Sequence, residues 1–534
     1  QFLIKISHSL LSVSLLLCRL KFELCTKTAL RYTITMNMGG YLYYIARQSA
    51  SFTVSFSLLL LLGSPLQAAE IRLPSLGGDS SASVMTPQQE LLLGEAFMRS
   101  LRQQIEIIEQ PEIQHYIETL GQQLVSQSDD PTAPFEFFVV RDDSINAFAG
   151  PAGKIGIHSG LIEKAESEGE LAAVLAHEIA HVTQRHLMRA LESRQNQSLQ
   201  TAATVLATII AASASPQAGE AMIATSAGLS LQQQINFTRS NEQEADRVWM
   251  QTLHNAEYAP KNMSAFFKRL QQASRHDGET VPEYLRTHPL SLSRIADAES
   301  RIGQYAPVSR RSDEEFQRIR TLLKIPQFTN PQSAVRHYQK ALQQSSLEQQ
   351  QILQFGLGIA LQQAEAPKQA LQQLLPLLEQ QPEAPTLLIQ IARSEAESGA
   401  TQQALQRIRE ISRIYPTHRA LAQFHAELLQ QQRQFDPAIQ RLQQTIADHP
   451  THPALYQQLA TLHTLANHPP ESHLALAHYH FLRGETKVAL QQLDYAERAS
   501  KKTGTNFILF SSIDERRREY ESKQALEKAE EKHG

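Results

Sequence analysis

The sequence predicts a mainly α chain: a helix-dominated α+β domain with one small sheet, followed by an all-α solenoid of paired helices. Three observations carry this expectation. A single cluster of β-formers lies between residues 135 and 158, residues 171–176 are apolar nearly all round a helix, and from 358 onward several columns of residues recur at a step of 34. With 534 residues the chain exceeds what one core accommodates, so two or three folded units are expected.

Residues 1–69 read as a leader rather than as fold. The first plausible start is Met36 or Met38. Arg47, the apolar run Phe52–Leu62 and the segment Gly63-Ser64-Pro65-Leu66-Gln67-Ala68-Ala69 then form the three parts of a secretory signal, with cleavage expected after Ala68 or Ala69. The apolar run is shorter than a bilayer span. Cys18 and Cys25 both fall in this leader, so the exported chain has no thiol, and a disulfide-stapled scaffold is excluded. The leader carries six basic residues and one acid, and its removal takes the formal charge from −4 to −9. That balance argues against nucleic acid as a partner and against direct binding to an anionic membrane.

Thr86 and Pro87 open an amphipathic helix that runs to about Arg102, and a second follows Pro111. Phe135–Val140 and Lys154–His158 read as strands on either side of Asn146–Gly153, which is full of turn residues. A helix is expected from near Glu168, continuous over 171–187, with its apolar start in a core. Residues 202–231 are rich in Ala, Thr and Ser, and Pro216 and Gly219 interrupt their apolar stretches before either could cross a membrane. A polar stretch at 304–330 is expected as the linker between a domain at 70–303 and repeats at 331–515, with a charged tail at 516–534.

The repeat is legible in register. Pro382, Pro416 and Pro450 share the 34-residue step, as do Ala370, Ala404 and Ala438, the set Gly358, Ala392, Ala426 and Ala460, and the set Leu374, Ile408 and Leu442. Small residues at the closest helix crossings, with a proline after each second helix, resemble tetratricopeptide repeats. The next Ala-Leu-Gln-Gln-Leu unit begins at Ala489, 51 residues after Ala438, so one extra helix including Leu474–Leu482 is expected.

The chemistry rests on His177-Glu178-Ile179-Ala180-His181. On a helix the two histidines share a face one turn apart, so both imidazoles can reach one zinc ion while Glu178 leans toward its open position as general base. On a buried helix such groups need partners. Zinc requires a third protein ligand, and Asn241-Glu242-Gln243-Glu244-Ala245-Asp246 offers Glu242, with Asp246 one turn on to accept from a ligating imidazole. Glu244 lies about 200 degrees round the helix from Glu242 and is expected in a surface pair. His186, nine residues beyond His177 on a continuous helix, is expected on the opposite side from the metal. Thr287–Arg294 offers His288 and Arg294 as partners for a developing oxyanion, although alone the segment also reads as a turn with a surface charge.

Together, Asn146-Ala147-Phe148-Ala149, Gly153-Lys154-Ile155, His177–His186, Arg239–Asp246 and Thr287–Arg294 resemble the zinc metalloprotease family that includes the yeast prenyl-protein protease and bacterial HtpX. Within it the chain is similar to a periplasmic branch that joins such a domain to C-terminal tetratricopeptide repeats. The resemblance implies a zincin-type α+β metalloprotease domain followed by a tetratricopeptide-repeat solenoid, one Zn2+ per chain and a periplasmic location. It implies Glu242 as third ligand, His288 as a reversible fourth ligand that holds the site latent, and Arg294 as a helper of the transition state. The role it implies is quality control of outer-membrane proteins: chaperone-like help in assembling β-barrel precursors or the lipopolysaccharide-transport barrel, and degradation of unfolded or stalled ones, with the β-barrel assembly machinery and the lipopolysaccharide-transport barrel as partners. Lys154–His158 is expected to receive an extended substrate strand by edge addition. The one departure is Ala152, where many members have glycine.

Overall fold

Helix α1 (Pro87–Arg102) begins where the Thr86 side chain accepts from the Gln89 amide and the Gln89 side chain accepts from the Thr86 amide, with Pro87 in the first turn. The computed structural model describes residues 85–192, 206, 239–276, 283–289, 291–308, 312–504 and 507–531, so the leader at 1–69 and the 202–231 stretch, Leu206 apart, lie outside the described residues. Among these, no helix is long and apolar enough to cross a membrane.

Helix α2 (Pro111–Val125) buries Ile113, Ile117, Leu120 and Leu124 in the main core, and strands β1 (Glu136–Val140), β2 (Ala147–Ala149) and β3 (Lys154–His158) follow. The sheet order is β1-β3-β2, with β1 parallel and β2 antiparallel to β3. This corrects the expectation that Lys154–His158 is an open edge. The segment Asn146–Gly153 contains a three-residue strand as well as a turn, and that strand covers the edge of β3. The turn holds Ala152 in the left-handed region, at φ 52, and Gly153 at φ 68. A Cβ on Gly153 would lie 2.2 Å from the Pro134 carbonyl oxygen, so glycine is required there.

After α3 (Ser159–Lys164), Ser167 caps α4 (Glu168–Thr183), and no residue from Leu171 to His181 is more than 1% exposed. Small residues Ala172, Ala173, Ala176 and Ala180 let the neighbouring helices approach closely. The helix expected to continue to 187 stops at Thr183, because Arg185 turns left-handed at φ 55, and α5 (His186–Glu192) starts in a new direction. Helices α6 (Arg239–Asn255) and α7 (Lys261–His276) pack on α4, and α8 (Glu283–Thr287) and α9 (Leu292–Ile302) complete the domain.

Much of the expected linker is a packed helix. In α10 (Glu314–Lys324), Phe316, Ile319, Leu322 and Leu323 are buried in the same core as α4, and the helix touches both α2 and the first repeat helices. The repeats then run α11 (Pro331–Gln344), α12 (Leu347–Gln363), α13 (Pro367–Leu374), α14 (Pro385–Glu397), α15 (Thr401–Ile414), α16 (Arg419–Gln431), α17 (Phe435–Asp448), α18 (Pro453–Leu465), α19 (Pro469–Leu482), α20 (Thr486–Thr503) and α21 (Phe507–Glu531). Gly358 of α12 lies directly beneath the Leu374 side chain, which is why its column keeps small residues.

No extra helix is inserted after 466, which corrects that expectation. Helix α19 is the ordinary second member of its pair, with Ser472 in the alanine column. Its hydroxyl donates to the Ala460 carbonyl at 3.0 Å and shares a hydrogen bond of 2.7 Å with the Thr464 hydroxyl, so a polar residue is satisfied at a close crossing. The charged tail is also engaged: Tyr520 is buried and stacks on Phe481, and Lys523 reaches Glu95 of α1 at 3.3 Å.

The repeats curl onto α1 and α2. Glu112 accepts from Gln390 at 2.9 Å, and Arg419 donates to Glu118 at 3.1 Å while also lying 3.1 Å from His452. His449 lies 3.3 Å from Glu118, so a Glu118–His449–His452 cluster forms at the seam with the Arg419 guanidinium as its cation. Arg102 donates to the carbonyls of Leu482 and Thr451.

Candidate metal centre

Four side chains from three separate stretches meet over α4. His177 and His181 project from successive turns of α4, and Glu242 comes from the first turn of α6. His288 follows α8, where Pro289 stops the helix after the His288 amide has bonded the Tyr284 carbonyl at 2.8 Å. One ligand atom from each lies within 4.8 Å of the others, and all four residues are buried.

The geometry fits a bound cation. The two Nε2 atoms of His177 and His181 face each other at 3.0 Å, and each is 3.4 Å from a Glu242 carboxylate oxygen. Two neutral imidazoles that turn bare nitrogens toward one point repel unless a cation sits between them. The donor set of two or three imidazoles and a carboxylate is that of a catalytic zinc site.

The surroundings orient these ligands. Asp246, one turn beyond Glu242 on α6, places Oδ1 3.5 Å from Nδ1 of His177 and accepts from Trp249 at 3.3 Å. Ser291 caps α9 and sets Arg294 in its first turn. There the guanidinium grips Asp246 through Nε at 2.6 Å and Nη2 at 2.8 Å, while Nη1 reaches the Pro289 carbonyl at 2.8 Å and Glu242 at 2.7 Å. Those named contacts commit the fork to the acids of α6. Phe267 underlies the same guanidinium.

Glu178 is fully buried, neither carboxylate oxygen has a hydrogen-bond partner among the described residues, and Nε2 of His288 lies 3.5 Å away. Burial pushes its carboxyl up, against the pull of His288 and His177. Glu242 goes the other way: burial raises it, but His288, His177 and His181 together hold it far below the usual carboxylate range. Burial drives His181 well below the ordinary imidazole value, whereas for His288 the Glu178 and Glu242 carboxylates overcome burial and raise it.

His186 is where sequence reasoning went furthest astray. It lies outside the four-residue cluster, but the break at Arg185 brings its ring back behind His181, with the two Nδ1 atoms 2.8 Å apart. Its Nε2 is 3.1 Å from Glu244, which also accepts from Arg189 at 3.4 Å, so the Glu244 surface pair leads directly to a candidate ligand.

Residues 111–302 match peptidase family M48, and residues 395–462 match the tetratricopeptide repeat. The β-barrel assembly-enhancing protease of Yersinia pestis is 36% identical over 332 residues, which cover 60% of this chain and 68% of that protein. Its counterpart in Escherichia coli strain K12 is 37% identical over 307 residues, 57% of this chain and 62% of that one. A Vibrio cholerae relative is 46% identical over 239 residues, 45% of this chain and 49% of that one. The chain thus spans about half to two thirds of the length of these curated relatives.

Proposed function

Because this chain belongs to peptidase family M48 and joins that domain to tetratricopeptide repeats, we propose that it is a periplasmic zinc metalloendopeptidase that cleaves stalled outer-membrane β-barrel precursors. The observation that carries the reading is the convergence of His177, His181, Glu242 and His288 beside the unbonded Glu178 carboxylate.

His177, His181 and Glu242 would hold a zinc ion, which when bound would supply Lewis acidity toward the peptide carbonyl and water. Glu178 takes the proton of the attacking water on a carboxylate oxygen and returns it to the leaving amine, a task suited by a carboxyl whose burial raises its affinity for a proton. Asp246 and Arg294 act by positioning: the first sits 3.5 Å from Nδ1 of His177, and the second grips Asp246 and reaches Glu242. Arg294 reaches a developing oxyanion only if it releases one of those contacts.

An extended substrate fits β2, which among the described residues has a strand on one side only. Ala149–Ala152 at the end of β2 line a small pocket with His181, so a strand added there runs toward the metal ligands. The repeats provide the docking surface for the β-barrel assembly machinery and the lipopolysaccharide-transport barrel.

A second reading, a repeat-based chaperone or docking module with a latent protease site, is favoured by one feature. His288 is 2% exposed and lies 3.1 Å from Glu242 and 3.5 Å from Glu178, so it closes the position a substrate carbonyl needs. Glu178→Gln tests both. Zinc content should match wild type while cleavage of casein and of an unfolded β-barrel falls by about 100-fold or more. Undiminished cleavage by the variant refutes the base assignment, and full complementation of a deletion strain by an inactive variant makes the chaperone role the main one.

A further inference from the structure

We propose that His186 and Glu244 form a positioning pair that fixes the tautomer and ring orientation of His181 for zinc. The inference rests on the zinc reading of the site and extends it to residues outside the ligand set.

The argument begins with hydrogen-bond accounting. Glu244 is a carboxylate 3.1 Å from Nε2 of His186, so that nitrogen carries the proton and donates. A neutral His186 then has a bare Nδ1, and that atom lies 2.8 Å from Nδ1 of His181. That bond forms only if His181 carries its proton on Nδ1. The Nε2 of His181 is left bare, and it is the atom that faces His177 and Glu242. The chain Glu244–His186–His181 therefore selects one of two tautomers, the one with a lone pair toward the metal position.

The two histidines of α4 have different neighbours at Nδ1. The Asp246 carboxylate lies 3.5 Å from Nδ1 of His177. Next to His181 Nδ1 an imidazole, that of His186, leads on to Glu244, a half-exposed residue anchored by Arg189. The left-handed turn at Arg185 is what makes this reach possible, since on an unbroken helix His186 would point away.

The test is zinc affinity of the full chain, measured by competition with a chromophoric chelator, together with the visible spectrum of the cobalt-loaded protein. His186→Ala should weaken zinc by about 10–100-fold and shift the cobalt bands. His186→Asn, whose amide oxygen can accept from His181 Nδ1, should recover most of that affinity. Glu244→Gln, a substitution at a half-exposed surface position that leaves folding intact, should cost several-fold with His186 present and nothing in the His186→Asn background, because Asn cannot reach it. Circular dichroism of the metal-free proteins separates these effects from unfolding, and if His186→Ala does not fold, the other two variants decide. Wild-type affinity in all three variants overturns the inference, as does an equal Glu244→Gln loss in both backgrounds. A wild-type chain that takes up no zinc refutes the metallopeptidase reading itself and this pair with it.

Discussion

Acid should loosen the seam between α2 and the repeats. His115 of α2 and His418, which caps α16, lie with ring centroids 3.7 Å apart and planes tilted by 41°, with Arg419, Glu118, His449 and Tyr415 around them. Burial, aided by Arg419 and His449, pulls His115 down to about 3. Burial and then the His115 charge pull His418 down to about 2. A histidine whose folded value lies below its unfolded value of about 6.5 binds fewer protons folded than unfolded. Its contribution is therefore complete above about pH 6.5 and is lost as the pH falls from there toward the folded value.

Each such proton is worth about 1.4 kcal/mol per pH unit, so two rings set a ceiling of about 4 kcal/mol lost by about pH 5. Both rings keep some contact with water at the rim, and screening brings the expected loss to about 2 kcal/mol. The assay is urea unfolding at about pH 7 and about pH 5, on wild type and on the His115→Gln/His418→Asn double variant. Asparagine retains an acceptor for the Leu421 amide that His418 caps at 3.3 Å. The double variant should lose about 2 kcal/mol less than wild type on acidification. If the two proteins lose the same stability, these histidines are not the acid-sensitive groups and the reasoning fails.

Three further outcomes follow from the geometry. Ala152→Gly relieves a left-handed alanine and should raise stability by about 0.5–1 kcal/mol after glycine's added unfolded-state freedom, so a lower denaturation midpoint would contradict the strain argument. Arg294→Met leaves Glu242 and Asp246 without their buried partner and should cost about 3–5 kcal/mol in the metal-free protein, with added zinc raising its melting temperature more than that of wild type. His288→Ala opens the site: casein cleavage should rise several-fold while a chelator strips zinc faster, and slower cleavage at full zinc occupancy would remove latency from the account.

What the sequence revealed was what local spacing encodes. Residues four apart on a helix share a face, so His177 with His181, and Glu242 with Asp246, were legible as pairs before any fold was known. The 34-residue columns were legible for the same reason, as each records one crossing repeated. The errors came from long-range or backbone events. Nothing in Gln184-Arg185 signals a helix break, so the route by which His186 returns to His181 was invisible, and the three-residue β2 was hidden among turn formers. The supposed linker did carry a signal: Phe316, Ile319, Leu322 and Leu323 recur at helical spacing, but the surrounding charges masked it. His288 sits 46 residues from the carboxylate it meets, and only family resemblance pointed to it as a metal ligand.

The environment of each carboxylate agrees with the task proposed for it. Glu242 and Glu178 share one pocket and one neighbour, His288, yet they are held in opposite protonation tendencies. Glu242 faces His177, His181, His288 and the Arg294 guanidinium, which compensate its negative charge and favour the ionised form that the proposed ligand role needs. Glu178 has the same burial with no hydrogen bond to either oxygen, so its charge is costly and a proton is welcome, as a base that must accept and then release one requires. Paired acids whose surroundings drive their affinities for a proton apart mark a division of labour. Exchanging the two roles by sequence position alone would leave the ligand without compensation and the base too weak to take a proton, so the packing of α6 and α9 around Glu242 is as much a part of the proposed mechanism as the ligands are.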